Sequence, residues 1–402
     1  MSSPAVDYVQ LATMGGHVGA ILSIAVRDDG EFLASGGSDG TRIFHIISRR
    51  QVQSPAFSVI RGPTTVITWI KREDDVGEAL FYGTQAGYLV CWRKDDLVLF
   101  FKLLLPQHHT NINGKKAGKV IAHFQERWDR QLPQPAEITG IAFDASTNRL
   151  AVCHRGGVVQ MFSVDAAMTV TPMYQHTIAN CVPRAVVFGP MHGNERELLV
   201  FSIYCGLVYI LRGGNAPTVA NAWNIGARIG DVAVDEARGL VCLDDPSMGV
   251  NVYRLGDHTL IKSFPVPVRT LTRIRQVRFL NTCTSIVSGS DHGVVYIFDR
   301  RTGALVSELR VHPDEWVQTI ATATIKGIPT IFAAKSRDVA GVNEIFIYQQ
   351  KARQQRQIGA RVCAALGQIL RIAIIVAAVC FVFENVFARV FTVFPVTSRR
   401  RM

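Results

Sequence analysis

Short runs of β-forming residues alternate with polar, glycine-containing turns along most of this chain. The clearest case is residues 286–299, Ile-Val-Ser-Gly-Ser-Asp-His-Gly-Val-Val-Tyr-Ile-Phe-Asp, where two apolar runs flank a four-residue polar turn. Val, Ile and Tyr suit a half-buried pleated strand, and Asp and Gly tolerate the backbone angles of a tight reversal. This stretch predicts a β-hairpin. Residues 34–44 form nearly the same pattern some 250 residues earlier.

The same unit recurs through the first 350 residues. If the residue that closes each hairpin is used as a marker, seven units follow one another at spacings of 48, 70, 49, 42, 45 and 50 residues. Most spacings are close to the roughly 40–45 residues of one four-stranded propeller blade. These blade anchors are Phe44, Trp92, Phe162, Leu211, Tyr253, Phe298 and Tyr348. An apolar run precedes each hairpin, at residues 20–26, 66–70, 138–143, 184–188, 229–234, 275–279 and 317–321.

The repeats predict an all-β fold, a seven-bladed β-propeller of four-stranded blades over residues 1–350. A single blade cannot bury both faces of its sheet, so blades stack radially and share one core. The long spacing of 70 marks an insertion at residues 94–137. Within it, the apolar run 97–105 predicts an outer strand, and the polar, basic stretch 107–119 predicts an exposed loop.

The two best hairpins resemble the second hairpin of a WD-repeat blade, in which small residues lead into an Asp-containing turn and an aromatic residue closes the strand. The signature Trp-Asp pair reads Phe44-His45 in one copy and Phe298-Asp299 in the other. The resemblance implies that residues 7–14 are the outer strand of the last blade and close the ring. It also implies a structural hydrogen-bond network in these two blades, formed by His17, Ser35 and Asp39 and by Ser288, Asp291 and His312.

That network is a better interpretation of His17, Ser35 and Asp39 than a catalytic set, because buried polar networks of this kind specify a core. Phe44 and Phe298 replace the indole donor of the family's Trp, so the network is incomplete in both copies. The adjacent histidines His108 and His109, with His123, lack a Cys or carboxylate partner and predict a solvated loop rather than a zinc site. We predict no metal, no cofactor and no catalytic residue.

The formal charge of +11 is concentrated in the C-terminal tail. Residues 351–402 hold nine Lys or Arg residues and one acidic residue, Glu384, a net charge of +8, whereas residues 1–350 carry only +3. A nearly neutral propeller argues against a specific nucleic-acid partner. Eight scattered cysteines without close pairing are typical of free thiols in a reducing, intracellular compartment.

The tail also contains an apolar segment. Residues 372–383 are twelve consecutive apolar residues, which predict a C-terminal α-helix. A transmembrane segment at about 363–394 would be a marginal single span with the propeller on the cytoplasmic side. The alternatives are a helix packed on the propeller and a helix that lies on a bilayer. Basic residues near the ends of this segment suit anionic headgroups: Arg361, Arg371, Arg399, Arg400 and Arg401.

The function that these features favour is a monomeric, non-enzymatic scaffold that binds protein partners through loops on the top face of the propeller and is tethered to a membrane by its tail. An alternative is a membrane-anchored propeller that acts as a guanine-nucleotide exchange factor for a small secretory GTPase, although the Gly-rich, Lys-bearing loop of those proteins is not recognisable here. A propeller hydrolase with a metal in its channel is disfavoured, because the innermost strands are largely apolar.

Overall fold

The computed structural model describes residues 8–74, 77–94, 124–193, 195–214, 216–269, 272–313, 315–336 and 341–351, with residues 373, 374, 376 and 377. Its chain divides into two units, Met1–Gln350 and Lys351–Met402. The first unit contains seven antiparallel sheets of four strands each. The prediction of a seven-bladed propeller is confirmed.

Each of the first six blades takes its four strands in chain order, from the innermost to the outermost. Blades one to three consist of β2 (Ile21–Val26), β3 (Phe32–Gly37), β4 (Gly40–His45), β5 (Arg50–Gln53), β6 (Thr64–Lys71), β7 (Glu78–Thr84), β8 (Tyr88–Lys94), β9 (Phe124–Gln131), β10 (Ile138–Asp144), β11 (Arg149–His154), β12 (Val158–Val164) and β13 (Val170–Thr177). Blades four to six consist of β14 (Pro183–His192), β15 (Glu195–Ser202), β16 (Leu207–Arg212), β17 (Thr218–Asn224), β18 (Val232–Asp235), β19 (Leu240–Asp245), β20 (Gly249–Arg254), β21 (Leu260–Pro265), β22 (Val277–Leu280), β23 (Ser285–Ser288), β24 (Val294–Asp299) and β25 (Leu305–Arg310). One 3₁₀ turn, Glu236–Arg238, joins β18 to β19.

The seventh blade closes the ring with a strand from the opposite end of the chain. It consists of β26 (Thr319–Ile325), β27 (Ile328–Ala334), β28 (Val342–Gln350) and β1 (Tyr8–Val18). β1 pairs antiparallel with β28, from Tyr8 opposite Gln350 to Val18 opposite Val342. The predicted closing strand is confirmed, and it extends four residues beyond the predicted end at Met14.

The core is divided among the interfaces between neighbouring blades. Seven buried clusters occur in the described residues, and each draws its side chains from two adjacent sheets. The cluster between blades seven and one contains Met14, Ile21, Phe44 and Phe332, all at most 2% exposed. Because every sheet buries both faces against its neighbours, a blade depends on the rest of the ring for its stability.

The outer strand of the second blade differs from the sequence prediction. β9 (Phe124–Gln131) pairs with β8 and is the fourth strand of this sheet, whereas residues 97–105, which were predicted to form an outer strand, lie outside the described residues. Residues 95–123 lie outside the described part of the chain. An outermost strand has one open edge and exposed side chains, which suits the polar sequence Phe-Gln-Glu-Arg-Trp-Asp-Arg-Gln of β9.

The turns alternate between two faces of the ring. We call top face the side that carries the turns between the second and third strands of each blade and the connections from one blade to the next. The bottom face carries the other turns, both ends of the 95–123 segment, and the end of β28 at Gln350.

The predicted C-terminal helix falls almost entirely on residues outside the described ranges. Within Lys351–Met402, residues 373, 374, 376 and 377 are helical, and their side chains are exposed. Among the described residues, no helix has the length and apolar character needed to cross a bilayer. The described residues do not include the predicted flanking residues of the span at about 363–394, which are Arg361, Arg371, Arg399, Arg400 and Arg401, and they include only four positions of the span itself.

Candidate interaction surface

A hydrogen-bond network joins the closing strand to the first blade at the top face. The buried imidazole of His17, at the end of β1, bonds through Nδ1 to Asp39 Oδ1 at 2.6 Å and through Nε2 to Ser35 Oγ at 2.7 Å. Asp39 also accepts hydrogen bonds from the Val18 amide and from Arg42, both at 2.8 Å. The three residues singled out in the sequence therefore meet in one place, and they connect two blades.

The surroundings of Asp39 make its contribution to stability depend on pH. Burial alone would raise the pKa of this carboxyl group, but hydrogen bonds from His17, Arg42 and the Val18 amide outweigh burial and hold the pKa well below its usual value. A pKa that is lower in the folded state gives stabilisation that is present above the unfolded-state pKa and is lost as the pH falls through the folded-state pKa.

We expect Asp39→Asn to lower the free energy of unfolding by about 1–3 kcal/mol at neutral pH, because charge-assisted hydrogen bonds are lost. Urea unfolding at pH 7 measures this loss, and the difference from the parent protein should shrink in acid as the parent's carboxylate becomes protonated. Asp28→Asn, in an exposed turn of the same blade, is the matched control. Equal effects of the two substitutions would contradict the proposed role of the network.

The sixth blade builds a related network from different residues. Asp291 Oδ1 bonds to His292 Nδ1 at 2.6 Å, and His292 Nε2 bonds to Tyr296 Oη at 2.8 Å. The Arg269 amide donates to Asp291, as the Val18 amide does to Asp39, so Val268 occupies the place of His17. The histidine of this network, His292, therefore comes from the turn between β23 and β24, whereas that of the first blade comes from β1.

Two other residues of this predicted network lie elsewhere. The His312 side chain is 42% exposed, and its Nδ1 bonds to the Pro313 carbonyl at 2.9 Å and lies 3.5 Å from Glu315. Ser288 donates to the Gly289 carbonyl, while Ser290 Oγ accepts from the Val294 amide at 2.9 Å and holds the turn. The sixth-blade histidine of this site is thus His292 and not His312.

The blade anchors occupy equivalent places in the seven sheets. Each is buried in the third strand of its blade, beside a register shift in the ladder to the fourth strand. A β-bulge adds a residue to one strand and increases the local twist, so the bulge bends each outer strand at the level of the anchor. The anchors are Phe44, Trp92, Phe162, Leu211, Tyr253, Phe298 and Tyr348.

A buried ion pair links the fifth and sixth blades at the top face. Arg275 is 2% exposed, and it donates from Nε and from its amide to the two oxygens of Asp244, each at 2.9 Å. Its Nη2 donates to the Asp245 carbonyl at 2.7 Å. Burial raises the pKa of Asp244 to about 7, while Arg275 favours the charged form. The sequence shows the adjacent carboxylates Asp244 and Asp245, which lie at the end of β19, but it does not show their long-range partner Arg275.

An apolar strip runs along the top face of blades seven, one and two. It consists of Val18, Phe57, Val59, Ile60 and Val342, whose exposed fractions are 61%, 48%, 85%, 76% and 70%. Val18 lies opposite Val342 in the β1–β28 ladder. Phe57 lies against Gly40, where an added β-carbon would be 3.4 Å from the ring. Gly40 follows Asp39, whose carboxylate accepts a hydrogen bond from the Val18 amide, so Phe57 and Val18 lie beside the same turn.

The loop that carries most of this strip is fixed in place. Ser58 accepts backbone hydrogen bonds from the amides of Arg61 and Gly62, and Arg61 binds Glu126 on β9 with two hydrogen bonds of 2.8 and 2.7 Å. Sequence reasoning missed this loop because it lies between strands. Its signal in the sequence is the group Phe57, Val59 and Ile60 between Pro55 and Pro63. A held apolar loop is a surface that can bind another protein with little ordering cost.

The comparison with known families agrees with this architecture. A family model described as WD domain, G-beta repeat matches residues 8–41. The matched segment runs from β1 into β4 and includes His17, Ser35 and Asp39. Together with the seven four-stranded sheets, the match supports a WD-repeat β-propeller protein. No curated protein matches the chain.

Proposed function

We propose that this protein is a monomeric, non-enzymatic scaffold that binds a protein partner through the apolar strip on its top face. The observation that carries the proposal is the strip itself, five apolar side chains that are each about half or more exposed on a rigid ring. Several exposed apolar side chains on one face are typical of a protein-binding site. WD-repeat propellers in general bind protein partners, which supports the same function for this chain.

We expect Val59→Asp combined with Ile60→Asp to abolish partner capture and to leave folding unchanged. A carboxylate in the centre of an apolar interface loses its hydration without gaining a partner, so binding should weaken by about 100-fold or more. The measurement is quantitative affinity capture from cell extract, followed by titration of the captured partner. Thermal unfolding monitors the fold.

The matched control is Ile47→Asp combined with Leu260→Asp. Ile47 and Leu260 are 58% and 54% exposed and lie toward the bottom face, so the same chemical change is made on the opposite side of the ring. The proposal requires that the top-face variant loses the partner and that the bottom-face variant keeps it. Loss in both variants, or in neither, would overturn it.

We also propose that the tail tethers the propeller to the cytoplasmic side of an intracellular membrane. The support is the apolar run at residues 372–383 with basic residues near its ends. β28 ends at Gln350 on the bottom face of the propeller, whereas the apolar strip lies on the top face.

Ile375→Lys combined with Val379→Lys should release the protein to the soluble fraction. A Lys near the centre of a bilayer costs about 2.5–3.5 kcal/mol, whereas twelve apolar residues supply only a few kcal/mol, so two lysines reverse a marginal balance. Membrane fractionation with a carbonate wash measures the result. Ile375→Leu with Val379→Leu is the control, and an unmodified protein that is already soluble would end the tether proposal.

A further inference from the structure

We propose that the top face around the fifth blade binds an acidic, carboxylate-rich peptide segment through Arg228, Arg269 and Arg273. This inference rests on the proposed function in one respect, that the top face is the binding face. It adds a second site, on the connections that flank blade five, and it states the chemistry of the partner.

The two connections that carry these arginines are fixed to one turn. Residues 225–231 lead into blade five and residues 266–276 lead into blade six. The Gly230 amide donates to the Asp244 carbonyl at 2.8 Å, and Arg275 holds the Asp244 carboxylate from the other side. The end of β19, which leads into the turn to β20, therefore contacts both connections. The arginines stand on a preorganised platform, which lowers the entropy cost of binding.

Two of the guanidinium groups are held against aromatic rings. The Arg228 guanidinium lies 5.6 Å from the centroid of the Tyr204 ring, and that of Arg273 lies 4.9 Å from the Trp316 ring. The Trp316 indole in turn donates to the Ile274 carbonyl at 3.0 Å, next to Arg273 in the chain. Stacking occupies the face of a guanidinium and leaves its N–H edge available for a carboxylate.

None of the three arginines forms an ion pair within the part of the chain that the structure describes. The nearby carboxylates are already engaged. Asp231 binds Arg278 at 2.6 Å, and Glu315 lies 3.7 Å from Lys335. Asp244 and Asp291 are bound as described above. The positive charge of this surface is therefore uncompensated, and carboxylates of a partner are its complement.

Two exposed apolar side chains lie on the same turn and connections of the top face. Met248, at the tip of the turn between β19 and β20, is 70% exposed, and Val268 precedes Arg269 and is 40% exposed. A flexible, polarisable Met side chain adapts to varied apolar partners. The surface thus suits an acidic segment that also carries an apolar residue.

The test is fluorescence anisotropy with the full-length protein and short labelled peptides of alternating Glu and Ser around a central Leu. We expect binding that weakens as salt is added, since the contacts are between charges. Arg228→Ala combined with Arg273→Ala should weaken binding at least about tenfold, as charge-assisted hydrogen bonds are removed. Arg228→Lys with Arg273→Lys keeps the charge but loses the planar edge, and should give an intermediate affinity.

Arg50→Ala with Arg301→Ala is the matched control, because it removes two exposed arginines from the turns of the bottom face. If the two Arg→Ala double variants lose the same amount of peptide affinity, the proposal is overturned. It is also overturned if the protein binds only a peptide with phosphoserine in place of Ser, or only vesicles of phosphatidylserine. If Val59→Asp with Ile60→Asp abolishes capture of a partner but the acidic peptides do not bind, the proposed function stands and this inference fails.

Discussion

Replacing Arg275 with Met should lower the free energy of unfolding by about 3–5 kcal/mol at pH 8, because the buried Asp244 carboxylate loses its counter-ion. Both side chains are at most 2% exposed, so water cannot take the place of the guanidinium. The measurement is urea unfolding followed by intrinsic fluorescence. Arg254→Met is the control, since Arg254 pairs with Asp257 and both side chains are largely exposed, so this substitution should change the free energy of unfolding little.

The loss should also depend on pH. Burial raises the pKa of Asp244 from 3.8 to about 7 in the parent protein, so the folded chain holds a proton there that the unfolded chain releases. The stability that this group contributes therefore falls as the pH rises from about 4, and in the parent the fall ends near 7. Without Arg275 we expect the pKa of Asp244 to rise further, so that the free energy of unfolding continues to fall above pH 7. The difference between variant and parent should thus grow above pH 7, by up to about 1.4 kcal/mol per pH unit.

A second substitution tests the cause. Arg275→Met combined with Asp244→Leu removes both charges, and buried ion pairs can often be exchanged for apolar pairs at little cost. The double variant should recover most of the lost stability and show no extra fall above pH 7. A double variant as unstable as Arg275→Met alone would mean that packing, and not the unpaired charge, causes the loss.

Removing residues 1–18 should have an equally large effect, because it deletes β1 and opens the ring. The edge of β28 loses its partner, Met14 leaves the core between blades seven and one, and Asp39 loses His17. We expect a loss of more than about 4 kcal/mol, seen as a fall of about 5 °C or more in Tm, with association through the free edge. Size exclusion and thermal unfolding measure both effects.

Removing residues 1–7, which leaves β1 whole, is the control for that truncation. A synthetic peptide of residues 1–18, added in excess, should restore the parent Tm by pairing with β28. This rescue also separates an open ring from a chain that has failed to fold. A truncated protein that melts with the parent would show that β1 contributes little to closure.

The fold could be predicted because the same short pattern, an apolar run followed by a hairpin, recurs in each blade. Seven apolar runs, each followed by a hairpin, identified the innermost strand and the anchor of every blade, and the pairing of the N-terminal strand followed from resemblance to a family. The outer strand of blade two was not predictable in the same way. An outer strand has few buried positions, so β9 lacks the apolar pattern on which the prediction of a strand at residues 97–105 was based.

The candidate sites were less predictable, since they depend on residues far apart in the chain. Asp244 and Arg275 are 31 positions apart, and nothing in either neighbourhood indicates that they meet. His292 provides the imidazole of the sixth-blade network from inside a turn, where the family pattern implied His312. The exposed residues Val59 and Ile60 lie between strands, and an apolar side chain in a loop shows its role only when its exposure is known.

The pairing of β1 with β28 also has a consequence for synthesis of the chain on the ribosome. Gln350, the partner of Tyr8, is made more than 300 residues after it, so ring closure is a contact of very high sequence separation. Blades one to six can form in order while β1 still lacks its partner strand. The bond between His17 and Asp39 needs only the first blade, and it can hold the end of β1 near its final place during that delay. A chain without His17 should therefore close its ring more slowly, and spend longer with an edge open to other nascent chains.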